Sequence, residues 1–96
     1  MSRTDIEHII VNQLIGYHPI QIGIFGSYAR REERVTSDID VLVRFRDPLS
    51  LLQLIRIENQ LSETIGIKVD LITTNSIRNP RLKESIFKDL QIIYNA

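Results

Sequence analysis

The sequence predicts an α+β domain built on a small mixed β-sheet, with helices packed mainly on one face. Short runs rich in β-branched residues predict strands over residues 20–25, 38–45 and 67–72. Between the last two runs, residues 49–65 carry a stripe of helical spacing that Gly66 closes and that is expected to face the core. The stripe consists of Leu49, Leu52, Ile55, Glu58, Leu61 and Ile65. A strand–helix–strand connection of this kind is right-handed, so the two strands are expected to be parallel if they are neighbours.

The flanking segments predict two further helices and a last strand. The first helix is expected from residue 4, where Thr4 and Glu7 have the spacing of a capping box. The second begins at Asn79-Pro80, with an apolar face formed by Leu82, Ile86, Phe87 and Leu90. Residues 92–94 predict a short edge strand, which could pair within the sheet, with a second copy or with a partner. The oligomeric state is therefore left open.

Size and composition exclude several classes of protein. The 96 residues are expected to form one domain spanning positions 1–96, too small to add a separate substrate-binding domain. Twelve basic and twelve acidic residues give no net charge, which argues against general nucleic-acid binding. The absence of cysteine excludes disulfides and thiolate metal sites. Apolar runs are only a few residues long, so we expect neither a membrane-spanning segment nor a signal peptide. The expected location is the cytoplasm.

Gly26 and Ser27 lie where a predicted strand gives way to a helical pattern. Residues 20–25 are mostly apolar and β-branched, and residues 28–34 are mostly good helix formers. At such a junction the first helical N–H groups have no partner within the helix, so backbone amides can bind a phosphate. Gly26 would let the anion approach, and Ser27 adds a hydroxyl group. Simple capping is the alternative interpretation of this turn alone.

Asp38 and Asp40 stand at the head of the next strand. Successive side chains alternate faces, so both carboxylates point one way while Ile39 and Val41 point towards a core. At about 4 Å, two carboxylates repel by roughly 4 kcal/mol at an effective dielectric constant near 20. Mg²⁺ compensates such a cluster and commonly takes one or two carboxylates. For an isolated pair, solvated or capping aspartates are the alternative.

Asp70 supplies a third carboxylate. In this predicted strand Ile67, Val69 and Leu71 share one face, and Asp70 lies on the other. If this strand pairs beside the strand that carries Asp38 and Asp40, the three aspartates form a triad. Such a triad can hold two Mg²⁺ ions and stabilise the attacking and leaving oxygens of an in-line displacement at phosphorus.

The combined pattern resembles the signature of the DNA polymerase β-like nucleotidyltransferase superfamily. Its parts are Gly26-Ser27, ten intervening residues, Asp38-x-Asp40 and a later apolar strand with Asp70. More narrowly, Gly-Ser-Tyr-Ala-Arg followed by Ser-Asp-Ile-Asp-Val-Leu-Val resembles the minimal nucleotidyltransferases, the MNT proteins usually found as antitoxins beside HEPN-domain ribonuclease toxins. The resemblance covers nearly the whole chain and implies a polymerase β-like core. The glycine, the serine and all three aspartates are present, which argues against a degenerate member.

The resemblance also implies an activity and a set of site residues. It implies a Mg²⁺-dependent enzyme, with two ions expected, that transfers AMP from ATP to a tyrosine hydroxyl of a cognate HEPN toxin, once or several times. Asp38, Asp40 and Asp70 would be the catalytic and metal-binding residues. The nucleotide-binding residues would be Gly26, Ser27 and Arg30, the last being the arginine of the Gly-Ser-x-Ala-Arg pattern.

Two other functions are compatible with the same residues. One is a non-catalytic antitoxin that neutralises its partner by complex formation. The other is nucleotidyl transfer to a small molecule such as an aminoglycoside, against which the lack of an acceptor-binding domain counts. Composition and spacing do not distinguish ATP from other nucleoside triphosphates.

Overall fold

The computed structural model describes residues 1–34 and 37–96, and within them the chain alternates between helices and strands. The elements in order are α1 (Arg3–Leu14), β1 (Pro19–Phe25), α2 (Gly26–Ala29), β2 (Ile39–Phe45), α3 (Leu51–Ile65), β3 (Val69–Thr73), α4 (Pro80–Asp89) and β4 (Gln91–Asn95). Single 3₁₀ turns follow α1 (Ile15–Tyr17) and β3 (Thr74–Ser76). None of the helices in these two ranges combines the length and apolar character needed to cross a bilayer.

The strands form one mixed sheet in the order β3-β2-β1-β4. Strand β1 is antiparallel to both β2 and β4, whereas β2 and β3 are parallel. The crossover through α3 therefore joins parallel neighbours, as its spacing predicts. The last strand is an edge strand that pairs with β1 of the same chain, which confirms the first of the three pairings considered for it.

The two faces of the sheet are covered unequally. Helices α1 and α3 pack on one face over the main core, whose fully buried members include Ile10, Leu14, Ile24, Val41, Leu61 and Val69. Helix α4 lies on the other face, where a small cluster contains Phe25, Leu42 and Ile86. This confirms the predicted arrangement of helices mainly on one face, and it leaves the α4 face thinly covered.

Two predicted helix boundaries are wrong. Helix α1 begins at Arg3, and its capping box is formed by Ser2 and Asp5 rather than by Thr4 and Glu7. Both pairs have the required spacing, so spacing alone does not choose between them. The helix predicted over residues 28–34 is only the single turn α2. The chain leaves it at Arg31, which takes a positive φ of 59°. Val35 and Thr36 lie outside the described residues.

The predicted core stripe of α3 is wrong at two positions. Leu52 and Ile55 are 75% and 44% exposed, while Ile57 and Leu61 are buried. Leu52 and Leu61 are nine residues apart, which is two and a half helical turns, so they lie on opposite sides of the helix. The predicted apolar face of α4 is likewise not buried as a whole, because Ile86 is the one buried residue of this helix.

Replacing Leu61 by alanine should destabilise the fold far more than replacing Leu52. Leu61 is fully buried between α3 and the sheet, and large-to-small changes at such sites cost about 2–5 kcal/mol of unfolding free energy. Leu52→Ala should stay within about 0.5 kcal/mol of the parent. Urea denaturation of the two variants provides the measurement. Equal losses would contradict the orientation of α3.

Candidate functional site

Three aspartates lie near one another on the α4 face of the sheet. The parallel register places Asp40 of β2 directly beside Asp70 of β3, and Asp38 immediately precedes β2. Leu42, two residues beyond Asp40 on the same face, belongs to the small cluster with Ile86. The predicted adjacency of the strands that carry the aspartates is confirmed, and the carboxylates lie on the thinly covered face.

The surroundings of this cluster disfavour its negative charge. Burial raises the pKa of Asp40, and the carboxylates of Asp70 and Asp38 raise it further. Burial also raises the pKa of Asp70, against the opposing charge of Lys68, and Asp38 adds to the rise. Two of the three side chains thus bind protons more tightly than isolated aspartates do. A cation entering the cluster would relieve this cost.

Lys68 partly neutralises the cluster. Its Nζ lies 3.9 Å from Oδ2 of Asp38 and 3.9 Å from Oδ1 of Asp70. The lysine side chain is 69% exposed, so these are weak, solvent-screened ion pairs. Our sequence interpretation did not include Lys68. Its spacing of two residues from Asp70, next to the strand start, is the signal that would have placed both on one side.

Gly26 joins the strand–helix turn to the carboxylates. Phe25, the last residue of β1, pairs with Asp40 across the sheet, and α2 starts at the next residue. Gly26 has a φ of +74°, which disfavours residues with a side chain. A Cβ built on Gly26 would overlap the carboxylate of Asp40. The glycine is therefore required twice, by its backbone conformation and by the close approach of Asp40.

Arg30 connects the turn to α4. Its Nη1 donates a 2.6 Å hydrogen bond to Oδ2 of Asp89, and its Nε donates to Glu32 at 3.1 Å. These bonds raise the pKa of Arg30, the one to Asp89 most, and the guanidinium charge partly offsets the rise in the pKa of Asp40. A further hydrogen bond links the turn to β4: Nε2 of Gln91 donates to the carbonyl oxygen of Ala29 at 2.7 Å. Arg30 thus pairs with an aspartate outside the predicted triad, and its contact with phosphate stays a prediction.

The carboxylates are neighbours rather than an assembled metal cage. Among residues 1–34 and 37–96, no three aspartate, glutamate, histidine or cysteine side chains are grouped closely enough to hold an ion. The donor chemistry nevertheless suits Mg²⁺, since carboxylate oxygens are the ligands it prefers. Lys68 beside two of the carboxylates also indicates that a positive charge is favourable there.

The chain is similar in sequence to known proteins. Residues 5–96 match the profile of the family described as polymerase beta, nucleotidyltransferase. A protein of Methanocaldococcus jannaschii, provisionally named a protein adenylyltransferase, is 60% identical over 74 residues, or 77% of this chain and 76% of that protein.

Two solved structures share the fold. A toxin–antitoxin crystal structure with AMP-PNP superposes with a TM-score of 0.84 at 23% identity, covering 94% of this chain and 73% of that one. The complex of a tri-AMPylated Shewanella oneidensis HEPN toxin with an MNT antitoxin gives a TM-score of 0.81 at 21% identity, covering 99% and 74%. At these identities the likeness shows the fold alone, which agrees with the polymerase β-like core that the sequence predicts.

Neutralising Asp40 should stabilise the protein at neutral pH. Because its folded pKa is raised, the folded state binds its proton more tightly than the unfolded chain, and stability falls as pH rises from the unfolded to the folded pKa. Asp40→Asn removes that loss, so the melting temperature at pH 7, with chelator present, should rise by a few degrees. The gain should disappear below about pH 4, where the parent carboxyl is protonated in both states. A lower melting temperature at pH 7 would show that the charge of Asp40 is stabilising.

Alanine at Gly26 should destabilise the fold, whereas alanine at Gly16 should not. Gly26→Ala introduces a strained positive φ and a clash with Asp40, together costing about 1–3 kcal/mol of unfolding free energy. A Cβ at Gly16 meets no atom within 4 Å, so Gly16→Ala serves as the matched control. Chemical denaturation of both variants measures the difference. Equal stabilities would mean that Asp40 moves away without cost.

Proposed function

This chain belongs to the polymerase β nucleotidyltransferase family, and on that premise we propose that it transfers AMP from ATP to a hydroxyl group of a partner protein. The observation that carries the proposal is the register that sets Asp40 beside Asp70, with Gly26 packed against Asp40. The turn that begins at Gly26 and the carboxylates therefore lie next to each other.

The turn at Gly26 and Ser27 is the proposed phosphate end of the site. Helix α2 starts at Gly26, so the amides of its first turn have no partner inside the helix. Gly26 carries no side chain and has a positive φ, so the backbone amides of this turn are not shielded by a Cβ from an approaching anion. These groups would bind the β- and γ-phosphates of the triphosphate, with the hydroxyl of Ser27 as a further donor. Arg30, at the end of the same turn, is the proposed cationic contact to the phosphates, and it would have to release Glu32 or Asp89 to reach them.

The carboxylates form the proposed metal end. Asp38, Asp40 and Asp70 would hold Mg²⁺, which when bound supplies charge neutralisation for the phosphates and a more acidic acceptor hydroxyl. The raised pKa values of Asp40 and Asp70 support this assignment, because a bound cation offsets the repulsion that raises them. Lys68 would give up its contacts with Asp38 and Asp70 as the ion enters.

The reaction follows from placing the two ends together. The acceptor oxygen attacks the α-phosphorus, the new oxygen–phosphorus bond forms, and the bond to the β-phosphate oxygen breaks. Pyrophosphate leaves with that electron pair. Asp70, on the strand beside Asp40, would accept the proton of the hydroxyl. Most of the rate enhancement comes from positioning and from electrostatic stabilisation of the developing charge.

The proposed acceptor is a tyrosine of a HEPN-domain toxin, and the proposed role is that of its antitoxin. The name of the M. jannaschii relative supports transfer to a protein. The AMPylated HEPN toxin in one matched complex supports AMP as the group transferred and a HEPN protein as the recipient. AMP-PNP in the other matched structure supports ATP as the donor.

Intact-mass spectrometry tests this function directly. A HEPN protein incubated with this chain, Mg²⁺ and ATP should gain one or more AMP masses. Asp40→Asn should reduce the initial rate at least about 10²-fold, because removing one stabilising group at a charged transition state typically costs 10²–10³. Asp47→Asn, an exposed carboxylate beyond the end of β2, is the matched control and should act like the parent.

Two outcomes would contradict the proposal. Near-parental transfer by Asp40→Asn would remove this residue from the catalytic group. A stable complex with the HEPN protein but no mass gain with any nucleoside triphosphate would instead support neutralisation by binding.

A further inference from the structure

The outer edge of β3 is held by side chains of α3. Strand β3 is terminal in the sheet, and alternate amides of a terminal strand point away from its neighbour. The amide of Val69 donates to Oγ of Ser62 at 2.9 Å, and the amide of Leu71 donates to Oε2 of Glu58 at 2.7 Å. These two amides flank Asp70 on either side.

Both acceptors lie on one face of α3, and the side chain of Ser62 is itself held in place. Glu58 and Ser62 are four residues apart, so they lie one above the other on the same face of α3. The hydroxyl of Ser62 donates to the carbonyl oxygen of Glu58 at 2.9 Å, which orients its lone pair towards Val69. All of these bonds are partly buried, where hydrogen bonds persist better than at the open surface.

We propose that Glu58 and Ser62 are positioning residues for Asp70, holding the β3 backbone so that its carboxylate stays in register with Asp40. This inference rests on the proposed function, because it assigns a task to Asp70 in that reaction. The other side of Asp70 is held by the parallel pairing with β2. Without the α3 bonds, β3 would be fixed along one edge only. Small displacements of a reacting group can cost about 10²-fold in rate.

The charge of Glu58 and its role as an acceptor can be separated. Glu58 lies close enough to Asp70 to raise its pKa, so removing the charge could by itself alter activity. Glu58→Gln removes the charge but keeps an oxygen that accepts from the Leu71 amide. Glu58→Ala removes both. Because both variants are uncharged, the difference between them reports the loss of the side chain and its acceptor rather than the loss of charge.

The experiment compares Glu58→Ala, Ser62→Ala and Glu58→Gln, with Glu63→Ala as the control at an exposed position of the same helix. Two readouts are measured on each folded variant: AMP transfer to the HEPN protein, and Mn²⁺ binding followed by electron paramagnetic resonance. Residues that orient metal ligands typically contribute 10–100-fold to metal affinity or activity. We expect Glu58→Ala to lower kcat at least about 10-fold with the KM for ATP within about twofold, and to weaken Mn²⁺ binding similarly. Glu58→Gln and Glu63→Ala should stay within about threefold of the parent.

The outcomes distinguish this inference from the proposed function. If the parent transfers AMP but Glu58→Ala and Ser62→Ala match Glu58→Gln in kcat and Mn²⁺ affinity, the positioning role is overturned and the proposed function stands. If the parent binds Mn²⁺ in a manner that depends on Glu58 but transfers no AMP, the positioning role stands and the proposed reaction is wrong. A parent chain that neither binds Mn²⁺ nor transfers AMP would overturn both. Ser62→Ala provides a second, smaller perturbation should Glu58→Ala fail to fold.

Discussion

The parallel pairing of β2 with β3 is the constraint on which the rest of the structure depends. It places Asp40 beside Asp70, an arrangement that electrostatics alone disfavours. The repulsion is tolerated because the opposite faces of the same strands carry Ile39, Val41 and Val69, which are fully buried against the helices. Apolar burial on one face therefore stabilises an unfavourable charge cluster on the other.

The unequal faces of the sheet divide these two tasks. One face, beneath α1 and α3, supplies most of the core, while the other carries only a small apolar cluster under α4. The thin cover leaves room for charged groups near the sheet surface. Beside its small apolar cluster, α4 makes one ion pair with the turn, between Asp89 and Arg30. The turn at Gly26 and Ser27 is thus connected to α4 through the guanidinium group of Arg30.

The sequence predicts the backbone of this site better than its supporting contacts. Period-two patterns are strong around Asp38 and Asp70, so the strands and the face of each aspartate could be inferred from residue order. The proposed positioning role of Glu58 could not be inferred from residue order, because it depends on the rotation of α3 about its axis. The same rotation exposes Leu52, which the stripe counted from Leu49 assigns to the core. Likewise, Arg30 pairs with Asp89, which lies 59 residues later in the sequence. Short-range patterns carry no information on such partners.

The strand order has a consequence for folding kinetics. Strand β1 lies inside the sheet between β2 and β4, and its pairing with β4 joins Gln21 to Asn95, 74 positions away. The unit β2–α3–β3, by contrast, is contiguous and contains Asp40, Asp70 and the hydrogen bonds between α3 and β3, and Asp38 lies just before it. Non-local pairing slows folding because a long loop must close before its contacts form. This chain should therefore fold more slowly than a helical bundle of equal length, with closure of β4 onto β1 as the most entropically costly step.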